Sequence, residues 1–301
     1  MAPKGVEVDV EGRRLRLSNL DKVLYPASGF TKGQVIDYYT RAAPYVLPHL
    51  RGRPLTLKRY PNGVEAGHFY EKQRPSHAPD WVRSAAIEAG DRTIDFVLCD
   101  NLPTLVWLAN LADLELHPSL ALAEDVSRPT VLAFDLDPGP PAAIEHCCTV
   151  ALLLRETLGQ LDLECFAKTS GSKGMQVYVP LNSAVDYDDT KPFAHGVARV
   201  LESRDGDSIT SVMKKSERVG KVFIDWSQND RHKTTVGVYS LRARERATVS
   251  TPLRWEEVEQ VADGGDPEDL VFDSQQVLER ADRFGDLFAP VLDLEQRLPD
   301  L

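Results

Sequence analysis

Residues 130–139 have the sequence TVLAFDLDPG, an apolar run that ends in two acidic residues and a turn signal. Because side chains alternate between the two faces of a strand, we expect Asp135 and Asp137 to point the same way. Pro138 and Gly139 then end the strand, which places both carboxylates at its exposed tip. Two like charges on one face favour a bound cation, and hard oxygen ligands suit Mg²⁺ or Mn²⁺. For this motif taken alone, a solvated aspartate pair is the alternative.

The composition is that of an ordinary globular protein, with 42% hydrophobic and 27% charged residues in a chain of 301. No apolar run approaches the ~18 residues of a membrane helix, and no signal-peptide pattern opens the chain. The four cysteines include no C-x-x-C pair, which argues against a zinc ribbon or a disulfide framework. We therefore expect a cytoplasmic protein with no membrane partner.

The net charge of −11 is unevenly distributed. Residues 254–301 contain 14 acidic residues and four arginines, whereas residues 214–246 contain nine basic and four acidic residues. An acidic C-terminal segment thus masks a locally basic body, and local fields decide phosphate binding. The basic stretch is either a solvated face or a phosphate-binding surface, and the acidic segment is either a solvated helical face or a docking surface.

Helical and strand-like patterns are mixed without strict alternation, which favours an α/β protein with mixed sheets over a doubly wound parallel one. Thr31 and Gln34 form a capping box for a helix that Pro48 is predicted to end. Strands are predicted at residues 55–60, 94–97, 130–135, 165–168, 175–180 and 221–226. Further helices are predicted at residues 141–158, 190–203, 253–262 and 274–284.

Two further segments carry residues suited to phosphate chemistry. Asp225 ends the predicted strand 221–226, and three carboxylates on two adjacent strands suit two metal ions. Taken alone, Asp225 is equally consistent with a turn former. Residues 170–174, SGSKG, lie between two predicted strands, and their two glycines allow backbone N–H groups to converge on an anion. A plain hairpin turn is the alternative for this loop.

Together these segments resemble the polymerase domain of bacterial ligase D, within the archaeo-eukaryotic primase superfamily. That family has an Asp-x-Asp motif, an S-G-x-K-G-x-H loop and a third Asp in a K-x-F-x-D strand. Here the motifs read DLD at 135–137, SGSKGMQ at 170–176 and KVFID at 221–225. The resemblance spans about residues 18–255. It implies a primase-type core of two packed mixed β-sheets flanked by helices. We expect a single catalytic domain over residues 1–301, with the acidic helical segment 256–301 packed on it.

The resemblance also implies roles for the motif residues. The catalytic centre would hold two Mn²⁺ or Mg²⁺ ions on Asp135, Asp137 and Asp225. The nucleoside triphosphate would contact His117, Ser170, Ser172, Lys173, Gln176 and Arg242. Gln176 stands where many members have His, so it keeps a neutral donor but has no titratable group. On a strand, Arg242 would share a face with Arg244, as clamping of a phosphate requires.

The implied DNA contacts fall into three groups. Asn19, Lys22 and Lys32 resemble the family's pocket for the 5′-phosphate at a gap, although helix capping and surface lysines would also explain them. Phe69 and Tyr70 would stack on the template strand, or else are core aromatics covered by long cationic side chains. The cations near them are Lys58, Arg59 and Lys72. Arg218 belongs to a basic loop that resembles the family's contact with the primer end.

The function implied is a template-directed nucleotidyltransferase that fills short gaps during end joining or excision repair and prefers ribonucleotides. The chain has no K-x-D-G ligase motif, so we expect a stand-alone polymerase. We also expect it to be a monomer. Its expected partners are gapped or end-resected DNA with a 5′-phosphate, nucleoside triphosphates, Ku and a separate DNA ligase. One alternative is a non-catalytic module that binds gapped DNA without incorporating nucleotide. Another is a D-x-D phosphohydrolase, which would release phosphate from simple monoesters.

Overall fold

A computed structural model describes residues 5–299, which divide into two compact units. Unit 1 comprises the described residues up to 119, together with 236–249 and 273–285. Unit 2 comprises residues 120–235, 250–272 and 286–299. The acidic C-terminal segment therefore contributes to both units. The organisation of residues 1–301 as one catalytic domain stays a prediction.

Residues 5–299 contain fourteen strands and seven α-helices. The strands are β1 (Gly5–Val10), β2 (Arg13–Ser18), β3 (Val23–Tyr25), β4 (Phe30–Thr31), β5 (Pro54–Arg59), β6 (Phe69–Glu71), β7 (Ser84–Ala89), β8 (Arg92–Leu98), β9 (Asp113–Pro118), β10 (Val131–Pro138), β11 (Phe166–Thr169), β12 (Met175–Pro180), β13 (Ile209–Thr210) and β14 (Val222–Asp225). The helices are α1 (Lys32–Leu50), α2 (Leu102–Asn110), α3 (Ile144–Gly159), α4 (Tyr187–Arg204), α5 (Trp255–Ala262), α6 (Ser274–Phe284) and α7 (Pro290–Asp293). None of the described helices is long and apolar enough to cross a lipid bilayer.

Unit 1 is built on an antiparallel five-stranded sheet in the order β6-β5-β8-β7, with β9 also paired to β5. Helix α1 begins at the predicted capping box, in which Thr31 and Gln34 bond each other's backbone. The predicted end at Pro48 is wrong, because α1 continues to Leu50. Proline removes one hydrogen bond to the preceding turn, but the residues after it keep their own N–H donors.

Unit 2 is built on a mixed sheet in the order β11-β12-β10-β14-β13, in which only the β13–β14 pair is parallel. Central strand β10 buries Leu132, Phe134 and Leu136 completely in the core that α3 and α4 also line. The alternation of β10 then places Asp135 and Asp137 on the opposite face. The mixed α/β fold class is confirmed.

Candidate active site

The register of unit 2 assembles the three predicted carboxylates. Asp135 on β10 lies directly opposite Asp225 on antiparallel β14, and Asp137 lies opposite Phe223. Directly opposed residues of an antiparallel pair share a face, with Cβ atoms about 4.5–5.5 Å apart. All three carboxylates therefore lie on one face where β10 and β14 pair.

This concentration of negative charge changes the chemistry of Asp135, which is half-buried. Burial raises the pKa of its carboxyl to about 7, and the neighbouring charges of Asp137 and Asp225 add to the effect. Three carboxylates that lie together on one face form a donor set suited to divalent cations. Within residues 5–299, however, no three His, Cys, Asp or Glu side chains already converge on an ion position.

Asp225 is also a turn former, as the alternative interpretation held. Its Oδ1 accepts from the backbone N–H and hydroxyl of Ser227, at 3.0 and 2.5 Å, and its Oδ2 accepts from Gln228 at 2.8 Å. These bonds cap the short 3₁₀ helix Trp226–Gln228. A carboxylate has about four lone-pair positions, so the cap leaves capacity for a metal ion.

The predicted phosphate loop is the hairpin turn between β11 and β12. The hydroxyl oxygen of Ser170 accepts from the backbone N–H groups of Ser172 and Gly174, at 3.2 and 3.3 Å, and so holds the turn closed. Lys173 is exposed at its tip. A Cβ on Gly174 would lie 2.0 Å from the carbonyl oxygen of Leu136, between the two aspartates. Glycine at this position therefore lets the loop lie against the end of β10.

We expect Gly174→Ala to lower the free energy of unfolding by about 1–3 kcal/mol, because the added methyl group must push the loop away from β10. Urea denaturation measures this change. Gly196→Ala is the matched control: Gly196 is exposed in α4, a Cβ added there would meet open space, and the variant should gain up to about 1 kcal/mol from helix propensity. If Gly174→Ala is as stable as the wild type, the loop does not lie as close to the end of β10 as the structure shows.

Arg218 also joins the carboxylate face. Its guanidinium lies 3.6 Å from the ring centroid of Phe223, the residue opposite Asp137. A Cβ on Gly139 would lie 1.8 Å from the carbonyl oxygen of Arg218, so only glycine admits this segment at the end of β10. The structure thus places a predicted DNA-contacting cation beside the carboxylates in unit 2.

Two residues that organise the candidate sites were not predicted from the sequence. Lys168, which is fully buried, lies opposite Gln176 in the β11–β12 pair, and Gln176 lies opposite Asp135. Lys168 has no recognisable signal in the sequence, because only the strand register reveals its position. Glu115 in unit 1 does have one: acidic or basic side chains alternate with leucine through Asp113, Glu115 and His117, which marks one polar face of a strand.

Glu115 is the centre of the cationic cluster in unit 1. Its Oε2 lies 3.0 Å from Lys58 Nζ, 3.0 Å from His117 Nε2 and 3.3 Å from Arg242 Nε. Its Oε1 accepts from the hydroxyl of Tyr60 at 3.2 Å and from a backbone N–H at 3.1 Å. Only 1% of the Glu115 side chain is exposed. One buried carboxylate therefore holds together three residues predicted to contact nucleotide or DNA.

In this cluster the carboxyl of Glu115 is ionised and the ring of His117 is neutral. Burial alone would raise the pKa of the Glu115 carboxyl, but the hydrogen bond that it accepts from His117 and the charges of Arg242 and Lys58 hold that pKa well below its usual range. The pKa of His117 is lowered by burial and by the two neighbouring cations, which outweigh the effect of Glu115. A neutral His117 must donate from Nε2 to the carboxylate, so its Nδ1 is an acceptor.

Arg242 and Arg244 do not share a strand face, so that prediction is wrong. The chain leaves strand geometry after Leu241, which forms a single bridge to Val249, and the segment then turns. The Arg242 side chain is mostly buried against Glu115, whereas Arg244 is exposed. Local turn hydrogen bonds, including Arg244 N to the Arg242 carbonyl at 3.0 Å, replace the expected ladder.

The predicted 5′-phosphate residues are brought together in unit 1. Lys22 donates its backbone N–H to the carbonyl of Asn19, and Lys32 donates its own to the carbonyl of Lys22. Lys32 is only 6% exposed, and this burial affects the pKa of its ammonium group. Burial lowers that pKa to about 8, and the charges of Lys22 and Arg59 contribute to the lowering. Mutually repelling cations at one place form a site that an anion would stabilise.

Phe69 and Tyr70 are surface residues, so the interpretation as core aromatics is wrong. They are 43% and 59% exposed on β6, at one end of the unit 1 sheet order. Arg59 lies 5.1 Å from the ring centroid of Phe69, and Lys58 lies 5.5 Å from that of Tyr70. Lys72 follows on the same segment and is exposed. Aromatic faces accompanied by cations suit stacking on bases and contact with phosphates.

The sequence matches the family described as LigD, primase-polymerase domain, over residues 31–288. The chain belongs to this family. It is 42% identical over 289 residues to the multifunctional non-homologous end joining protein LigD of Mycolicibacterium smegmatis, covering 95% of this chain and 37% of the relative. It is 31% identical to the bifunctional LigD of Bacillus subtilis, over 82% of this chain and 40% of the relative.

A solved structure described as the polymerase domain from Mycobacterium tuberculosis ligase D in complex with DNA matches this LigD-family chain with a TM-score of 0.87. The sequences are 38% identical, and the match covers 94% of this chain and 99% of that one. The resemblance inferred from the motifs is thus confirmed, together with the fold. The chain spans less than half the length of the curated relatives it matches.

Proposed function

We propose that this chain is a template-directed nucleotidyltransferase that fills short 5′-phosphorylated gaps in DNA during repair. The observation that carries the proposal is the register that sets Asp135, Asp137 and Asp225 on one face in a member of the LigD primase-polymerase family. The names of the relatives support a place in non-homologous end joining, and the DNA complex of the M. tuberculosis domain supports DNA as the substrate.

The three aspartates would hold two divalent cations, Mn²⁺ or Mg²⁺. When bound, such ions neutralise a triphosphate and lower the pKa of a primer 3′-hydroxyl. The chain's own residues then have separable roles. Lys173, at the exposed tip of the hairpin, contributes charge to the triphosphate, together with the backbone of the loop that Ser170 and Ser172 shape. Gln176 lies beside Asp135 and donates to it.

The residues of unit 1 supply recognition in this proposal. Arg242 and neutral His117, both oriented by Glu115, are assigned to the nucleotide, with Nδ1 of His117 available to accept from a sugar hydroxyl. Asn19, Lys22 and Lys32 are assigned to the 5′-phosphate. Phe69 and Tyr70, with Lys58, Arg59 and Lys72, are assigned to the template strand, and Arg218 in unit 2 to the primer end. The preference for ribonucleotides, the monomeric state, nucleoid association, and cooperation with Ku and a separate ligase belong to the same proposal.

The 5′-phosphate pocket predicts a pH dependence. Because the pKa of Lys32 is about 8, its charge is full below that pH and is lost as the pH rises above it. The preference for a 5′-phosphorylated gap over a 5′-hydroxyl gap is therefore expected to shrink as the pH of a binding titration rises from 7 to 9. Fluorescence anisotropy with both duplexes measures it. Lys32→Arg stays charged over this pH range, so in this variant the preference for the 5′-phosphorylated gap should change little with pH. A preference that falls with pH as steeply in Lys32→Arg as in the wild type would show that Lys32 does not contact the 5′-phosphate.

Primer extension across a one-nucleotide gap tests the function. Wild-type protein with Mn²⁺ and the complementary nucleoside triphosphate is expected to lengthen the primer by one nucleotide, and Asp137→Ala is expected to abolish this. Binding of gapped DNA without extension would instead support the non-catalytic module. Membership of the LigD family argues against the D-x-D phosphohydrolase. Release of phosphate from simple monoesters would support that alternative.

A further inference from the structure

Four side chains form a row across four neighbouring strands of the unit 2 sheet. Lys168 on β11 is opposite Gln176 on β12, Gln176 is opposite Asp135 on β10, and Asp135 is opposite Asp225 on β14. Each step is a direct antiparallel pairing, so the four side chains share one face. A row that begins with a buried ammonium and ends with two carboxylates is an ordered polar network rather than a chance contact.

The direction of each hydrogen bond in the row is determined by its partners. Ser250 donates its single hydroxyl proton to the carbonyl of Thr169 at 2.8 Å, so its oxygen must accept from Lys168 Nζ, 2.7 Å away. Lys168 Nζ also donates to Oε1 of Gln176 at 2.6 Å. An ammonium has donors only, and therefore it fixes which end of the Gln176 amide faces it.

The other end of that amide faces the candidate metal ligands. Gln176, 2% exposed, hydrogen bonds the carboxyl of Asp135. Since Oε1 is engaged by Lys168, the group directed at Asp135 is the N–H donor. Lys168 Nζ also lies over the ring of Tyr178, 5.4 Å from its centroid. Without the ammonium, the amide is free to turn and to present its oxygen to the carboxylate.

We propose that Lys168 is a positioning residue, which locks the Gln176 amide with its N–H on Asp135 and so holds that carboxylate in the orientation that binds the divalent cation. The inference rests on the proposed polymerase function. Partners that orient a metal ligand typically change metal affinity by about 10–100-fold when removed. Lys168 itself contacts neither nucleotide nor metal in this scheme.

Mn²⁺ binding, followed by electron paramagnetic resonance in the absence of DNA and nucleotide, tests the inference. Lys168→Met and Gln176→Leu are each expected to weaken Mn²⁺ binding by about 10-fold or more, and the double variant no more than Gln176→Leu alone, since Lys168 acts through Gln176. Tyr178→Phe, which keeps the ring over Lys168, is the matched control and should bind Mn²⁺ like the wild type. Unchanged affinity in Lys168→Met, or losses that multiply in the double variant, would overturn the inference.

A second measurement does not depend on the folding of Lys168→Met. In ¹⁵N-glutamine-labelled wild-type protein, the side-chain amide protons of Gln176 should exchange with water at least ~10-fold more slowly than those of exposed Gln160. Equal exchange would overturn the locked amide. If the wild type binds Mn²⁺ and extends a primer, and Lys168→Met binds Mn²⁺ with the same affinity, the inference about Lys168 is refuted while the proposed function stands. Wild-type protein that does neither would refute the proposed function and the inference with it.

Discussion

Alanine at both Asp135 and Asp137 is expected to lower the rate of nucleotide incorporation by about 10³-fold or more, which corresponds to roughly 4 kcal/mol of transition-state stabilisation. The two carboxylates share a face with Asp225, and without them the site loses most of its charge for a divalent cation. Single-turnover extension of a gapped primer measures the loss. Asp263→Ala, at an exposed helix end in the same unit, is the matched control and should keep wild-type activity.

The same double variant is expected to be at least as stable as the wild type above pH 7 in the absence of metal. The folded-state pKa of Asp135, about 7, lies above the ordinary value, so the wild type loses stability as the pH rises toward 7. Removing the repelling carboxylates removes that loss. Loss of activity together with unfolding at pH 8 would contradict this account, because it would assign the aspartates a structural role.

Glu115→Ala has the second large expected effect, a loss of about 3–5 kcal/mol in the free energy of unfolding. Deleting one partner of a buried ionic cluster leaves the others uncompensated, and here Lys58, His117 and Arg242 all lie within 3.3 Å of one carboxylate oxygen. Urea denaturation at pH 7 measures the loss. Glu88→Ala, at an exposed position of β7, is the matched control and should change stability by less than about 0.5 kcal/mol.

The sign of the pH dependence identifies the ion cluster as the cause. The pKa of Glu115 is depressed in the folded protein, so its contribution is complete above the ordinary carboxyl pKa and is lost as the pH falls toward the depressed value. The difference in stability between wild type and Glu115→Ala should therefore shrink in acid. A difference that stays constant from pH 7 to pH 3 would point to lost packing instead.

Local patterns in the sequence predicted the elements well where periodicity was strong. Strand β12 and helix α6 have the predicted bounds, because each has clear turn or capping residues at its ends. The positions of Asp135 and Asp137 on one face followed from strand alternation alone. The predicted end of α1 at Pro48 was wrong because a proline near the end of a helix disturbs the turn before it rather than the residues after it.

What the sequence could not predict depends on pairing between distant segments. The register that sets Asp225 and Gln176 opposite Asp135 is decided by tertiary packing and leaves no local signal. Arg242 was expected to share a strand face with Arg244, whereas its conformation is set by turn hydrogen bonds and by the buried Glu115. The position of Glu115 could have been predicted, since polar residues alternate with leucine from Asp113 to His117 and mark one face of a strand.

Incorporation on a one-nucleotide, 5′-phosphorylated gap, with the template base varied, tests the central claim most directly. The assay uses Mn²⁺ and each of the four ribonucleoside and four deoxynucleoside triphosphates. We expect one nucleotide to be added, chosen by the template base, faster from the ribonucleotide pool, and more slowly when the gap has a 5′-hydroxyl. A gap that is bound tightly but never extended, or extended without regard to the template, would contradict the account.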